Sequence, residues 1–345
     1  MKHILLYSLL LTLFACNSSD APDVSNIKAD LEIVRFENDF FAIDTNNVTA
    51  SMQALSVKHG GFVNDFTTNI LGIIPTTDSS APGLEAVKHF IHDYKPIYDS
   101  ISKTFADMSD VEKELKRSLQ YVKYYFPDYK TPTKLITYAG PMDAYFEASM
   151  GGYSDVITPA GLATGLQLHL GHDFSMYHSE MGIALYPAYI SRRFTRETIA
   201  VNAIKNIIDD IYPEQRRGGA LVDQMVEKGK RLYVLDKLMP HTADTLKIGY
   251  TDNQLKGCYS NEGRIWNFFV TNNLLLKNEP DILKSYVGDG PETPELGAGS
   301  PGYIALFTGW QIVKKYMEKK GDIPLMQLLQ TPSRTIFEES KYRPK

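Results

Sequence analysis

Thr195-Arg-Glu-Thr-Ile-Ala-Val-Asn-Ala-Ile-Lys-Asn-Ile-Ile-Asp-Asp-Ile-Tyr-Pro213, continued by Leu221-Val-Asp-Gln-Met-Val-Glu-Lys-Gly-Lys-Arg-Leu-Tyr-Val-Leu-Asp-Lys-Leu-Met-Pro240, is the stretch that decides the fold. In the first part Ile199, Ala203, Ile207, Ile208 and Ile211 recur at helical spacing, with Thr195 placed to cap the helix and Pro213 to stop it. In the second, Val222, Met225, Val226, Gly229, Leu232, Tyr233 and Leu235 form the apolar side of a helix from about Leu221 to Met239. A mid-helix glycine costs about 1 kcal/mol relative to alanine, so Gly229 predicts close packing against a neighbour. The spacing therefore predicts two central helices packed tightly on each other.

Outward from that pair the chain reads as mostly helix. Leu84 to Ile101 carries a long apolar stripe that Pro96 must kink or split. Ser109-Asp-Val-Glu112 is a capping box ahead of Val111, Leu115, Leu119, Val122 and Phe126. Asn261 is placed to cap a helix carrying Ile265, Trp266 and Phe269, and Tyr303 to Lys319 forms a last strong amphipathic helix. Three short runs read as strands: Leu31–Phe36, Lys134–Ala139 and Leu166–Leu170. Pro75–Pro82 and Val287–Gly302 read as loops. The class is α+β, a mostly helical single domain with a small sheet.

The N-terminus is a targeting segment. A basic start, the apolar run Ile4 to Phe14 and Leu13-Phe-Ala-Cys16 form a bacterial lipoprotein signal over residues 1–15, too short to span a bilayer. Cleavage before Cys16 leaves its thiol to carry the lipid, and two acyl chains anchor stably. The polar run from Asn17 to about Asn26 reads as a flexible tether, so 16–26 is anchor and tether and 27–345 the domain. With 36 basic against 41 acidic side chains and a net charge of −5, no basic stripe suits nucleic acid. Cys258 is the one cysteine left, so an intramolecular disulfide is ruled out.

Catalytic patterns are sparse. His89 and His92 sit three apart on a helix, and His169, His172 and His178 form a second group, yet neither matches His-Glu-x-x-His. Asp209-Asp210, Glu112 and Glu114 fit solvated helix faces. Ser154 and Ser300 lack the Gly-x-Ser-x-Gly elbow. Phosphate loops and dinucleotide fingerprints are missing, and no cofactor is expected. The 21 Tyr and 16 Phe fit a core at helical spacing.

Several segments in order resemble a known family. After the lipoprotein signal come Ile33-Val-Arg-Phe-Glu-Asn-Asp39, Leu168-His-Leu-Gly-His-Asp-Phe174, Tyr189-Ile-Ser-Arg-Arg-Phe194, Glu227-Lys-Gly-Lys-Arg-Leu-Tyr233 and Leu235-Asp-Lys-Leu-Met-Pro240. Glu262-Gly-Arg-Ile-Trp266, Gly288-Asp-Gly-Pro291, Thr308-Gly-Trp-Gln-Ile-Val313 and Ser340-Lys-Tyr-Arg-Pro344 follow. Together they resemble the GldB family of gliding-motility lipoproteins of the Bacteroidetes, over essentially the whole mature chain. The resemblance implies a cell-envelope lipoprotein, periplasm-facing or on the outer membrane, working with other gliding or secretion proteins.

The family also looks distantly like gluzincin zinc peptidases. On that likeness the first central helix occupies the ligand position with Val201, Asn202 and Lys205, and Glu227 stands alone where the third ligand would be. One carboxylate does not hold catalytic zinc, for which three protein ligands are usual. The likeness implies a pseudopeptidase with no catalytic or metal residues, and a binding cleft between the central helices with Glu227, Arg192 and Arg193 at its edge. Two rival readings are a zinc-dependent envelope hydrolase using His169 to His178 with Glu180, and a surface glycan-binding lipoprotein.

Overall fold

The computed structural model describes residues 21–73, 81–143, 154–214, 218–321 and 323–345. The signal segment, Cys16, the start of the tether and most of the Pro75–Pro82 loop lie outside them. Four short strands form one mixed sheet: β1 (Glu32–Arg35), β2 (Lys134–Tyr138), β3 (Asp155–Thr158) and β4 (Gly161–Gly165), in the order β1-β2-β4-β3. β1, β2 and β4 run parallel, and β3 pairs antiparallel to β4 with Asp155 opposite Thr164. Helices make up most of the rest, so the class is α+β as expected.

β1 and β2 fall where alternation placed them. The third expected strand moves: Leu166–Leu168 is a 3₁₀ turn, and the strand is the Gly161–Gly165 run just before it. Leu166, Leu168 and Leu170 alternate in sequence, but Leu166 and Leu168 are buried in a turn that carries the chain off the end of β4. β3, at the sheet's edge, carried no clear signal because its two apolar residues, Val156 and Ile157, stand side by side with polar neighbours.

The helix Ala81–Thr104 stays unbroken through Pro96. Ser109 opens the helix Ser109–Tyr125, but its N–H is accepted by the Asp107 carboxylate at 2.9 Å in place of a capping box from Ser109. Asn261 likewise turns its side-chain amide back to the Gly257 carbonyl. The first central helix spans Thr198–Ile211, with no side-chain cap: Thr195 contributes its carbonyl, which accepts from the Thr198 hydroxyl at 2.6 Å. The second spans Leu221–Leu238.

Gly229 does mark a close approach, though to a different partner from the one expected. The second central helix packs chiefly on Ile304–Lys320, with the first central helix a lesser neighbour. A Cβ on Gly229 would lie 2.2 Å from the Gly309 carbonyl carbon, and one on Gly309 only 1.7 Å from the Met225 carbonyl oxygen. Two glycines facing each other let the backbones touch, and Gly309 gave no warning because it sits in a run already read as an amphipathic helix.

Around the sheet, Phe36, Phe40, Phe62, Phe66 and Tyr138 make a fully buried aromatic cluster. Ring centroids lie 4.9 Å apart for Phe36–Phe62 and 4.8 Å for Phe40–Phe66. Packing on the domain reaches back into the expected tether: Val24 is buried, and Gln120 donates to the Ile27 carbonyl at 2.8 Å. Among the described residues, no helix is long and apolar enough to cross a membrane.

Candidate functional site

Along the helix Thr198–Ile211 nine of the fourteen residues are buried, while Asn202, Lys205, Asn206 and Asp209 follow one polar stripe. It runs between the β3–β4 edge of the sheet and the helices Ser109–Tyr125 and Leu221–Leu238. Thr198 and Lys205 are buried with the apolar side, and a buried polar group must find a partner inside.

At its N-terminal end the partners form a closed network. His169 Nε2 lies 3.1 Å from the Asp155 carboxylate, and Nδ1 lies 3.1 Å from both the Thr195 carbonyl and the Thr198 hydroxyl. Asn202 Nδ2 donates to Asp155 at 2.7 Å, and the Thr164 hydroxyl donates to the other carboxylate oxygen. Asp155, His169 and Thr198 follow one another like a catalytic triad, yet the chemistry differs. Nε2 faces a carboxylate and Nδ1 a carbonyl, which only accept, and the Thr198 hydroxyl beside Nδ1 gives its own proton to the Thr195 carbonyl, so a proton on each ring nitrogen satisfies the network. Burial opposes that charge, but the Asp155 charge and hydrogen bond and the Thr195 carbonyl outweigh it and raise the His169 pKa above its ordinary value. A ring with no free lone pair is not a general base. The network ties β3, β4 and the central helix together.

Half-way along the helix a cavity of ≈ 360 Å³ opens. Arg192, Arg193 and Lys205 supply its positive charge, and Phe194, Leu246 and Tyr250 part of its apolar wall. Arg192 Nη2 donates to the Gly249 carbonyl at 3.1 Å and to Gln254 Oε1 at 3.2 Å. Arg193 pairs with Asp289, from the Gly288-Asp-Gly-Pro291 turn. Gly249, in the left-handed region at φ +78°, makes room: its missing Cβ would sit 3.1 Å from Arg193 Cδ. Burial, helped by Arg193, pushes Lys205 down to about 8 against the pull of Asp209, Asp289 and Asp155.

Glu227 is elsewhere. It lines a separate groove of ≈ 1040 Å³ with Asp223, Lys228, Lys230 and Ser333. Its carboxylate pairs with Lys230 Nζ at 2.6 Å and accepts from the Ser333 hydroxyl at 3.1 Å. Fully buried Arg231 spans from Asp209, at 2.9 Å, to Glu227, at 3.8 Å. The structure thus brings Arg192 and Arg193 together with Lys205 and sets Glu227 apart from them, so the single expected cleft is two cavities.

The remaining candidates fall into place as ordinary structure. His89 and His92 are exposed. His172 is exposed, and His178 Nε2 bonds the His172 carbonyl at 2.7 Å. Among the described residues, no three His, Cys, Asp or Glu side chains are grouped to hold a metal ion. Ser154 is buried and donates to the Gly165 carbonyl at 2.8 Å. Asp209 is not a solvated helix charge, since it meets the buried Arg231. Burial keeps the Cys258 thiol protonated, its pKa pushed up to about 12. Sequence reasoning missed Asp155, Thr198 and Arg231. Asp155 stands next to Ser154, which drew attention for the wrong chemistry, while Lys230 and Arg231 entered only as part of the Glu227–Tyr233 segment that carries the family resemblance.

The fold and these sites define a mainly helical α+β domain whose interior charges are tied to one another through named ion pairs. The chain belongs to the gliding motility protein GldB family, whose model matches residues 17–344. That family is one of gliding-motility lipoproteins of the cell envelope. No curated protein matches the chain, and no solved structure does.

Proposed function

We propose that this protein is a lipid-anchored, non-catalytic component of the gliding apparatus and its associated secretion machinery, acting through protein contacts. The observation that carries the reading is the state of Glu227. The carboxylate in the peptidase-like position is paired to Lys230 at 2.6 Å and bonded to Ser333, and no histidine stands on the neighbouring helix. His169, the one fully buried histidine of the second group, has both nitrogens engaged. The family match over 17–344 supports the motility role.

The anchor reading fits the described chain. Four residues separate Cys16 from Ala21, which already packs on the core, and five extended steps of about 3.5 Å give a reach of roughly 18 Å. The domain would ride close to the bilayer. An in-frame deletion should abolish colony spreading, restored by the wild-type gene and not by Cys16→Ala. Full spreading in the deletion would remove the motility role. Stoichiometric zinc in the purified chain, together with hydrolysis that depends on it, would remove the non-catalytic one.

A further inference from the structure

We propose that a further cavity, of ≈ 710 Å³, binds an extended, uncharged stretch of protein chain through its backbone. Two helices, Asp252–Ser260 and Glu262–Thr271, each give one face to the lining, and residues 295–301 with Ile304 complete it. The faces follow from spacing. Asn253 and Gly257 in the first helix, and Arg264, Phe268 and Thr271 in the second, stand three or four residues apart. The volume falls within the usual range for ligand sites, about 300–1,000 Å³.

Its floor is mainly aliphatic and its mouth carries amides. Cys258, Ile265, Pro301 and Ile304 are buried, with Leu296 and Phe268 half-buried beside them. Asn253, Asn267 and Asn272 stand exposed at the mouth. In a chain where 22% of residues are charged, only Arg264 and Glu295 carry charge among the described lining residues. Both are exposed, and their signs are opposite. A floor of this kind gives a buried charge no partner, so the part of the ligand that it takes in is neutral.

Neutral amides over an aliphatic floor match a polypeptide backbone. An amide side chain both donates and accepts, so it satisfies the N–H and C=O of an extended chain, whose alternate side chains then point to the floor. Asn272 is set for this. Its Nδ2 donates to the Phe268 carbonyl at 2.8 Å, which fixes the amide and leaves Oδ1 to accept. The side chains of Asn253 and Asn267 have no hydrogen-bond partner among the described residues. A sugar, the other neutral ligand rich in hydrogen bonds, packs its flat C–H face on an aromatic ring. Phe268 is the one ring in the described lining, and it is engaged edge-on with Phe269 and Tyr286, at 5.2 and 5.7 Å. The loop wall is preformed: Thr293 Oγ1 donates to the Pro301 carbonyl at 2.7 Å, and Ser300 Oγ to the Thr293 carbonyl at 2.8 Å. A wall already fixed spares binding the cost of ordering it.

As a place for the protein contacts of the proposed role, the cavity rests on that reading; peptide binding is measured on the purified chain and spreading on cells, so the site and the role fail separately. Calorimetry on the full-length chain in lipid nanodiscs would use four probes: acetyl-Thr-Leu-Thr-Leu-Thr-amide, the same peptide N-methylated at its threonines, its serine-for-leucine counterpart, and maltopentaose. The leucine peptide should bind tighter than each of the others by roughly tenfold or more. Ala298→Trp, which plugs the mouth from an exposed loop position, should weaken that binding by roughly tenfold or more. Asn253→Ala and Asn267→Ala, both at exposed positions, should weaken it by about tenfold together. No binding of the leucine peptide, equal binding of its N-methylated or serine form, maltopentaose binding as tightly, or full binding by both sets of variants would each overturn the site.

Discussion

The half of the molecule around the sheet and the half built from helices are held by different physics. Around the sheet, Phe36, Phe40, Phe62, Phe66 and Tyr138 interlock edge to face and stacked, with centroids from 4.8 to 6.4 Å. In the helical half, the Leu221–Leu238 and Ile304–Lys320 helices touch backbone to backbone through Gly229 and Gly309. Their flanks bury charge: Lys230 on Glu227, Arg231 on Asp209, and Asp236 against Lys247 and the Trp310 indole N–H at 2.7 Å. Apolar packing is non-directional and tolerates a change of shape. Backbone contacts and buried ion pairs tolerate little, because a single atom or charge out of place has no way to relax. The helical half should therefore be the brittle one.

Gly309→Ala is the largest expected effect. Its Cβ would fall 1.7 Å from the Met225 carbonyl oxygen, a backbone atom that moves only if the whole helix moves. The crossing must open by more than 1 Å along both helices, at a cost on the order of 4 kcal/mol. Urea unfolding of the variant should show the midpoint shifted sharply down or no cooperative transition. A loss under about 1 kcal/mol would mean that the helices are not in backbone contact.

What the sequence made legible follows the same division. Periodicity placed the helices Ser109–Tyr125, Thr198–Ile211, Leu221–Leu238 and Ile304–Lys320, and alternation placed β1 and β2. Gly229 announced a close approach without naming Gly309, since a contact between distant segments leaves no local pattern. β3 escaped because it holds only Val156 and Ile157, side by side and without the apolar flanks that Leu31 and Phe36 give β1, and the turn after β4 escaped because the leucines of Leu166–Leu170 mimic a strand. At the site, Arg192, Arg193, Lys205 and Glu227 were all visible as charges. Their division into two cavities was not, because burial and pairing depend on Asp289 and Ser333, roughly a hundred residues away in the chain. Motif residues behave likewise. Tyr342 donates to Glu262 at 2.6 Å and stands edge-on to Trp266, so two of the segments that carried the family resemblance hold each other.

The seam between the halves gives the next effect, in pH. His169 joins β3, through Asp155, to the central helix, through Thr195 and Thr198. Burial opposes its charge, Asp155 and the Thr195 carbonyl more than compensate, and the folded pKa stands above the ordinary 6.5. The folded state then binds the proton more tightly than the unfolded chain, so this contribution is complete below about 6.5 and is lost as pH rises through the folded value. Unfolding midpoints taken from pH 6 to 9 should decline over that window, and His169→Gln should remove the part of the decline that this ring causes. An unchanged slope in His169→Gln would show that the ring is neutral in the folded protein. The effect is smaller than that of Gly309→Ala, since only one proton's bond is lost.

The smallest effect belongs to the aromatic half. Phe62 is fully buried, with Phe36 at 4.9 Å and Phe66 and Tyr138 beyond 6 Å. Phe62→Leu keeps an apolar side chain of similar bulk, and four other rings remain to close around it. The expected cost is about 1.5 kcal/mol, part lost ring contact and part a small void. The same urea series that reads Gly309→Ala reads this variant. If Phe62→Leu proves as damaging as Gly309→Ala, the rings are as closely fitted as the glycine crossing, and the division into a tolerant half and a brittle half fails. A cost near the expected value would leave the crossing at Gly229 and Gly309 as the contact on which the domain most depends.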